Sequence, residues 1–412
     1  MIASLANGTS RIKNFSTSAD CAATLSCLRQ LGVEAEREES DVLIHGVGAG
    51  GLRAPREPLD CGNSGTTMRL LAGILAGQSF SATLTGDESL RSRPMQRIIE
   101  PLAMMGANIS SNDGRAPLVI HGHRPLKAIS YELLVASAQV KSSILFAGLS
   151  AKGRTEVTED EITRDHAERL LQWFGVRNRV GTGDREGSRV AAIEGPASFN
   201  ARDVSIPGDI SSAVYFIAAA ALLPESSLEI QNVGINPTRV LFLKQMRSLG
   251  FDLTIAGERN ECNEPVGAVR VCGLHLRPSS DYESLLTLRS SLIPQLIDEL
   301  PLLAVVGSQI KGGIEIRDAA ELRVKESDRI ATTVQGMRAM GAEVEEFEDG
   351  LRVGGPTQLR GARIDPRGDH RIAMTFTVAG LVAEGKTEVA DADCVAVSFP
   401  EFFDLLDSVV ER

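Results

Sequence analysis

The sequence predicts an α/β protein of two domains, each made of three repeats around a buried helix. Three observations predict it. A helix ending in apolar-x-x-apolar-Gly recurs five times, a strand reading apolar-x-apolar-x-Gly follows each one, and a second, strongly apolar helix precedes most of the repeats. The length of 412 residues asks for the same division, because single cores stop growing at roughly 250–300 residues.

The helix ends are Leu28, Leu31 and Gly32; Leu102, Met105 and Gly106; Leu171, Phe174 and Gly175; Met246, Leu249 and Gly250; Met337, Met340 and Gly341. Glycine just past an apolar run stops a helix because it accepts the left-handed conformation. The closing strands carry Val42, Ile44 and Gly46; Leu118, Ile120 and Gly122; Ala191, Ile193 and Gly195; Val269, Val271 and Gly273; Leu351, Val353 and Gly355. Their period of two reads as half-buried strand. Opening strands are expected near Thr9–Ile12, Ser81–Leu84, Thr155–Val157, Ser227–Ile230, Ile314–Ile316 and Thr387–Val389, and a last helix at Phe399–Val409.

The second helices begin near Asn63, Ser137, Asp209, Gln295 and Asp369, and their all-round hydrophobicity marks them as buried. Six openings make two groups of three. The Pro207-Gly208 turn after Val204-Ser205 divides them, giving domains 1–205 and 206–412. The first repeat is the odd one. Met1–Gly8 matches only the tail of a buried helix, so the repeat predicts roughly 10 to 20 residues upstream, an ordinary helix length.

Composition narrows the function. Hydrophobic residues make up 43% and charged residues 24%, the balance of a soluble globular protein. A net charge of −11 argues against nucleic acid as the main partner, since a phosphate backbone selects basic surfaces. A local basic cleft for small anions remains compatible with it. The six cysteines form no C-x-x-C pair and read as free thiols of a reducing cytosol. His121 and His123 read as exposed residues at a strand end. The longest apolar run, Ala213–Leu223, is far short of a bilayer span, and no signal peptide opens the chain. A cytoplasmic protein with no membrane partner is expected.

The starts of the buried helices concentrate the polar chemistry. They read Gly62-Asn63-Ser64-Gly65-Thr66-Thr67, Ser137-Ala138-Gln139-Val140-Lys141, Pro207-Gly208-Asp209-Ile210-Ser211, Ile297-Asp298-Glu299-Leu300-Pro301 and Gly368-Asp369-His370-Arg371. Plain N-capping explains any one of them. Five together, with Arg and Lys added, favour anion binding by free backbone N–H groups and the helix dipole. Gly62–Gly65 is neither a Walker loop nor a dinucleotide fingerprint. Lys325 and Arg329, spaced i and i+4, are expected on one face of a helix, and Arg93 precedes Pro94 at a helix start. A solvated ion-pair face and a surface arginine are the competing readings. The hydroxyls lack a histidine partner for Ser-His-Asp chemistry.

These motifs resemble the EPSP synthase (5-enolpyruvylshikimate-3-phosphate synthase) family. The resemblance rests on the stretch Leu59–Leu71, on Arg93-Pro94-Met95 and Ser137-Ala138-Gln139-Val140-Lys141-Ser142, and on Thr163-Arg164-Asp165-His166. It continues through Ile297–Pro301, Arg323–Arg329, Asp369-His370-Arg371-Ile372-Ala373-Met374 and Ser398-Phe399-Pro400, and covers Met1 to Arg412. The Ser-Ala-Gln-Val-Lys form is similar to the bacterial branch called class II. The resemblance implies the two-domain enolpyruvyl transferase fold, an α/β architecture of three βαβαββ repeats per domain, an inside-out α/β barrel with the site in the cleft.

It also implies that Ser137, Ala138, Gln139, Arg164, Asp298 and Lys325 hold shikimate 3-phosphate. Asn63, Gly65, Arg93, Gln139, Arg329 and Arg371 would hold phosphoenolpyruvate. Asp298 would take the proton from the 5-hydroxyl, and Glu326 would serve proton transfer at the methylene carbon. No metal or other cofactor is implied, and the partners are the two small molecules, with a monomer expected. The family is inhibited by glyphosate at the phosphoenolpyruvate site, and Gly65 leaves room there, so sensitivity is expected.

The family's first buried helix starts Asp-Lys-Ser, with an arginine shortly after, and this sequence contains no counterpart. Weak activity of the chain as written is therefore expected, restored by appending such a segment. UDP-N-acetylglucosamine enolpyruvyl transferase shares the fold, but no cysteine here sits in the loop motif it requires. A substrate-binding relic without turnover is the remaining alternative.

Overall fold

A computed structural model describes residues 1–185, 187–273 and 285–410. They divide into two compact units, 1–206 with 261–264, and 207–260 with 265–412.

Within the first unit, two of the three repeats are crossovers through a buried helix. Strand Leu59–Asp60 leads into helix Gly65–Ala76 and returns in strand Ser81–Thr85, parallel to it. Strands Leu126–Lys127 and Ser130–Glu132 lead into Ala138–Gly148, and Ala151–Glu159 returns parallel to both. Strand Val204–Ser205, after the third repeat, pairs in parallel with the first opening strand, Asn7–Lys13. Each opening strand then pairs antiparallel with a closing strand: Asn7–Lys13 with Asp41–Val47, Ser81–Thr85 with Arg115–His121, and Ala151–Glu159 with Arg189–Gly195.

The second unit repeats this plan. Helix Ile210–Leu222 runs between a parallel bridge, Gly208 to Val233, and the strand that holds Val233, Ser227–Gly234. Helix Leu300–Gly307 precedes Ile314–Ile316, which is parallel to Leu286–Leu288. Helix His370–Val382 joins Arg363–Ile364 to Glu388–Val389. The described strands form six open sheets of two to five strands, and none closes into a barrel.

One close approach explains the glycine that ends each closing strand. A Cβ on Gly122 would fall within 3 Å of the carbonyls of Leu75 and Gln78, at the end of the buried helix of the same repeat. Gly195, Gly273 and Gly355 meet Gly148, Leu223 and Gly307 in the same way. Gly46 meets the carbonyls of Ala3 and Ala6, at a single 3₁₀ turn, Ala3–Leu5. The helix-stop glycines 32, 106, 175, 250 and 341 all have φ between +80° and +105°.

Two expectations are corrected. The helix expected near Gln295 is broken: Ile293–Leu296 ends, and Leu300–Gly307 restarts after a bend of 108°. Lys325 and Arg329 do not share a helical face. A 3₁₀ turn ends at Val324, Lys325 is extended, and Asp328 caps a helix that begins only at Arg329, accepting from the Ala331 N–H at 3.0 Å. The last helix is shorter than expected, Phe402–Val409. No single described helix is long and apolar enough to cross a membrane. The six cysteines are free, and His121 and His123 are exposed.

Candidate active site

In the first unit, the site candidates gather at two helix starts. Ser64 caps helix Gly65–Ala76, accepting from the Thr67 N–H at 3.2 Å. Ser137 caps Ala138–Gly148, accepting from the Val140 N–H at 3.4 Å. Arg93 is buried and donates to Asn63 Oδ1 at 2.6 Å, while the Asn63 amide donates to Asp87 at 2.6 Å. Gly65 sits beside this fork: a Cβ there would stand 3.2 Å from Arg93 Nη1 and 2.9 Å from Arg69 Nη1. Arg69, also buried, donates to Gln139 Oε1 at 2.6 Å, and the Gln139 amide donates to Thr66 at 2.8 Å. Asn63, Gly65, Arg93 and Gln139 therefore form one cluster, joined by Arg69. Ala138 opens the second helix. Arg164 lies in the loop between strand Ala151–Glu159 and helix His166–Trp173.

In the second unit, Arg329 is 1% exposed and is gripped by three carboxylates. Asp369 takes it bidentately, at 2.8 Å from Nε and 3.2 Å from Nη2. Glu326 lies 2.6 Å from Nη2 and Asp298 lies 3.3 Å from Nη1. The other oxygen of Asp298 is 3.7 Å from Arg371. Charge-assisted, two-pronged contacts of this kind fix both distance and plane. Burial opposes the charge on Arg329 most strongly, yet Asp369, Glu326 and Asp298 together hold its pKa above the ordinary value. Arg371 is likewise opposed by burial and held well above its ordinary value, chiefly by Asp298. Lys325 is pushed below its usual range by burial, against the pull of Asp298. Asp298, Glu326, Arg329 and Arg371 are thus brought into one ion cluster, with Lys325 in its field.

The broken helix is what places Asp298. Residues 297–299 fall in the break, and Glu299 turns to a different partner from its neighbour. It is 2% exposed and accepts from Arg239 at 2.8 Å, and Arg239 also donates to Ser211. Two adjacent carboxylates therefore bond to different arginines, Asp298 to Arg329 and Glu299 to Arg239.

Arg69, Asp369, Glu299 and Arg239 were not among the expected site residues. A charged residue in an otherwise apolar helix was the available signal for Arg69. Asp369 was visible only as a helix cap. It does cap helix His370–Val382, accepting from the Arg371 N–H at 3.0 Å, but the same carboxylate also grips Arg329. His370 beside it is 6% exposed, and burial, then Arg371, lower its pKa to about 4.

Residues 1–406 match the family model described as EPSP synthase (3-phosphoshikimate 1-carboxyvinyltransferase). A 3-phosphoshikimate 1-carboxyvinyltransferase of Koribacter versatilis is 50% identical over 413 residues, covering 100% of this chain and 93% of that protein. One of Salinibacter ruber is 48% identical, covering 99% and 93%. The solved EPSP synthase of Acinetobacter baumannii superposes with a TM-score of 0.83 at 39% identity, covering 99% of this chain and 91% of that one. The enolpyruvyl transferase NikO of Streptomyces tendae, at 18% identity, 99% and 90% coverage and a TM-score of 0.75, shares the fold. With the family matched along almost its whole length and half of its residues shared with a member, the chain belongs to the EPSP synthase family.

Proposed function

We propose that the chain transfers the enolpyruvyl group of phosphoenolpyruvate to the 5-hydroxyl of shikimate 3-phosphate, releasing phosphate. The observation that carries this reading is the cluster in the second unit: two arginines held above their ordinary pKa, against the two carboxylates Asp298 and Glu326. Both substrates are anions and repel each other, so fixed guanidinium forks are what bring them together.

In this reading, Asn63, Gly65, Arg93 and Gln139 of the first unit and Arg329 and Arg371 of the second serve phosphoenolpyruvate. Ser137, Ala138, Gln139 and Arg164 of the first unit and Asp298 and Lys325 of the second serve shikimate 3-phosphate. Asp298 accepts the proton of the attacking hydroxyl. Glu326 delivers a proton to the methylene carbon as the C–O bond forms, giving a tetrahedral intermediate. The Glu326 carboxylate then takes back a methyl proton as phosphate departs, and the enol ether product forms. No residue in this scheme needs a metal or organic cofactor.

The test is phosphate release from phosphoenolpyruvate by the purified chain, with and without acceptor. Release that requires shikimate 3-phosphate is the expected result. Release that requires UDP-N-acetylglucosamine instead, or none with either acceptor, overturns the proposal for this chain.

A further inference from the structure

Lys141 takes no part in the chemistry above, yet it is the most deeply buried cation of the first unit. Its side chain is 0% exposed, on helix Ala138–Gly148. The ammonium lies 3.0 Å from Glu159 and 2.8 Å from Glu168, themselves 2% and 3% exposed. Glu159 ends strand Ala151–Glu159, and Glu168 lies in the first turn of helix His166–Trp173. The other oxygen of Glu159 accepts from the Thr163 N–H at 3.3 Å and from the Thr163 hydroxyl at 2.5 Å. Residues 160–163 are thereby folded back onto the carboxylate of their own stem. Arg164 comes next. Asp165, on its other side, accepts from Arg169 at 2.8 Å and from Arg189 at 3.1 Å. Both neighbours of Arg164 are held by buried charge.

A buried ion cluster is a poor source of stability, because desolvating three charges offsets their attraction. Its directional bonds do fix register between elements that apolar packing would let slide. Here one ammonium ties together the helix that starts at Ser137, the strand that leads into the Arg164 loop, and the helix that leaves it.

We propose that Lys141, acting through Glu159 and Thr163, is a positioning residue that sets Arg164 relative to Ser137 and Gln139, and so sets affinity for the phosphorylated acceptor. The inference rests on the proposed assignment of those three residues to shikimate 3-phosphate. Thr163→Val removes the hydroxyl with little change in volume. It is expected to weaken shikimate 3-phosphate binding by calorimetry about tenfold or more, the size of a lost hydrogen bond to a charged group. The KM for phosphoenolpyruvate should stay close to wild type while the melting temperature falls by a few degrees, and Thr163→Ser should restore both affinity and melting temperature. Glu159→Gln should show the same split between the two substrates, with a larger loss of melting temperature because the buried Lys141 loses one of its carboxylates.

Arg164→Ala separates the two layers of the argument. If it weakens acceptor binding while Thr163→Val does not, the positioning role is wrong. If Thr163→Val raises both substrates' constants alike, the network is merely structural and the inference is overturned. If Arg164→Ala leaves acceptor binding unchanged, or the wild type binds no acceptor, the assignment itself fails and the inference with it.

Discussion

Gly65 shows how tightly the anion loop is filled. The two atoms that crowd its missing Cβ, Arg69 Nη1 and Arg93 Nη1, are ends of flexible side chains, so a methyl group moves the guanidinium groups rather than the backbone. Gly65→Ala is expected to raise the inhibition constant of glyphosate about tenfold or more, with a smaller rise in the KM for phosphoenolpyruvate. Equal inhibition constants for the two proteins would contradict the steric argument. His370 carries a different prediction. Its Nδ1 is buried and has no hydrogen-bond partner among the described residues, and its folded pKa of about 4 lies below the unfolded 6.5. Below pH 6.5 the unfolded chain binds more protons, so stability present above 6.5 is lost as pH falls toward 4, on the order of 3 kcal/mol in all. Urea midpoints should show His370→Asn losing about 2 kcal/mol less than wild type between pH 7.5 and 5.0. Parallel losses would reject the buried neutral imidazole. Residues such as Gly65 and Arg93 were legible because their signals are local, a glycine at a helix start or an arginine before a proline. Asp369 gripping Arg329 from 40 positions away, and Arg239 gripping Glu299 from 60, leave no mark in spacing.

At the scale of elements, the two buried helices of the first unit touch at Gly73, where a Cβ would lie within 3 Å of the Ser143 carbonyl. Backbone cannot rotate aside, so Gly73→Ala must part the helices. It is expected to cost about 1–3 kcal/mol, a drop of several degrees in melting temperature for a unit of this size. The same parting stretches the Arg69–Gln139 bond of 2.6 Å, so kcat/KM should fall in step. An unchanged melting temperature would show that the contact is relieved elsewhere. The five helix stops and closing strands were readable because each depends on a few adjacent residues and one period. The break at 297–299 was not, since apolar residues run on both sides of it. The face shared by Lys325 and Arg329 failed because Asp328 captures the Ala331 N–H and starts the helix late.

Across the whole molecule, an acidic chain with a net charge of −11 binds, in this reading, two anions. The cluster in the second unit does not offset that charge. Lys325, Arg329 and Arg371 face Asp298, Glu326 and Asp369, and Glu321 acts on Lys325 while Glu299 and Asp209 act on Arg371. Carboxylates already hold these arginines, so an arriving phosphate or carboxylate competes with side chains of its own sign. The competition eases when one carboxylate is neutralised, which makes binding a proton-consuming event. Calorimetry of phosphoenolpyruvate binding in the presence of shikimate 3-phosphate should therefore depend on the ionisation enthalpy of the buffer. The measurement belongs at pH 8, where a phosphate monoester of second pKa about 6 is already fully ionised. Heats identical in every buffer would show that no proton is taken up. Uptake that disappears in Glu326→Gln would mean that the ligand's own charge loads Glu326 with the proton the reaction next requires, so that the acid is armed by arrival of the substrate rather than by the pH of the solution; uptake that persists would place the proton elsewhere, on Lys325 for example, which burial holds below its usual range.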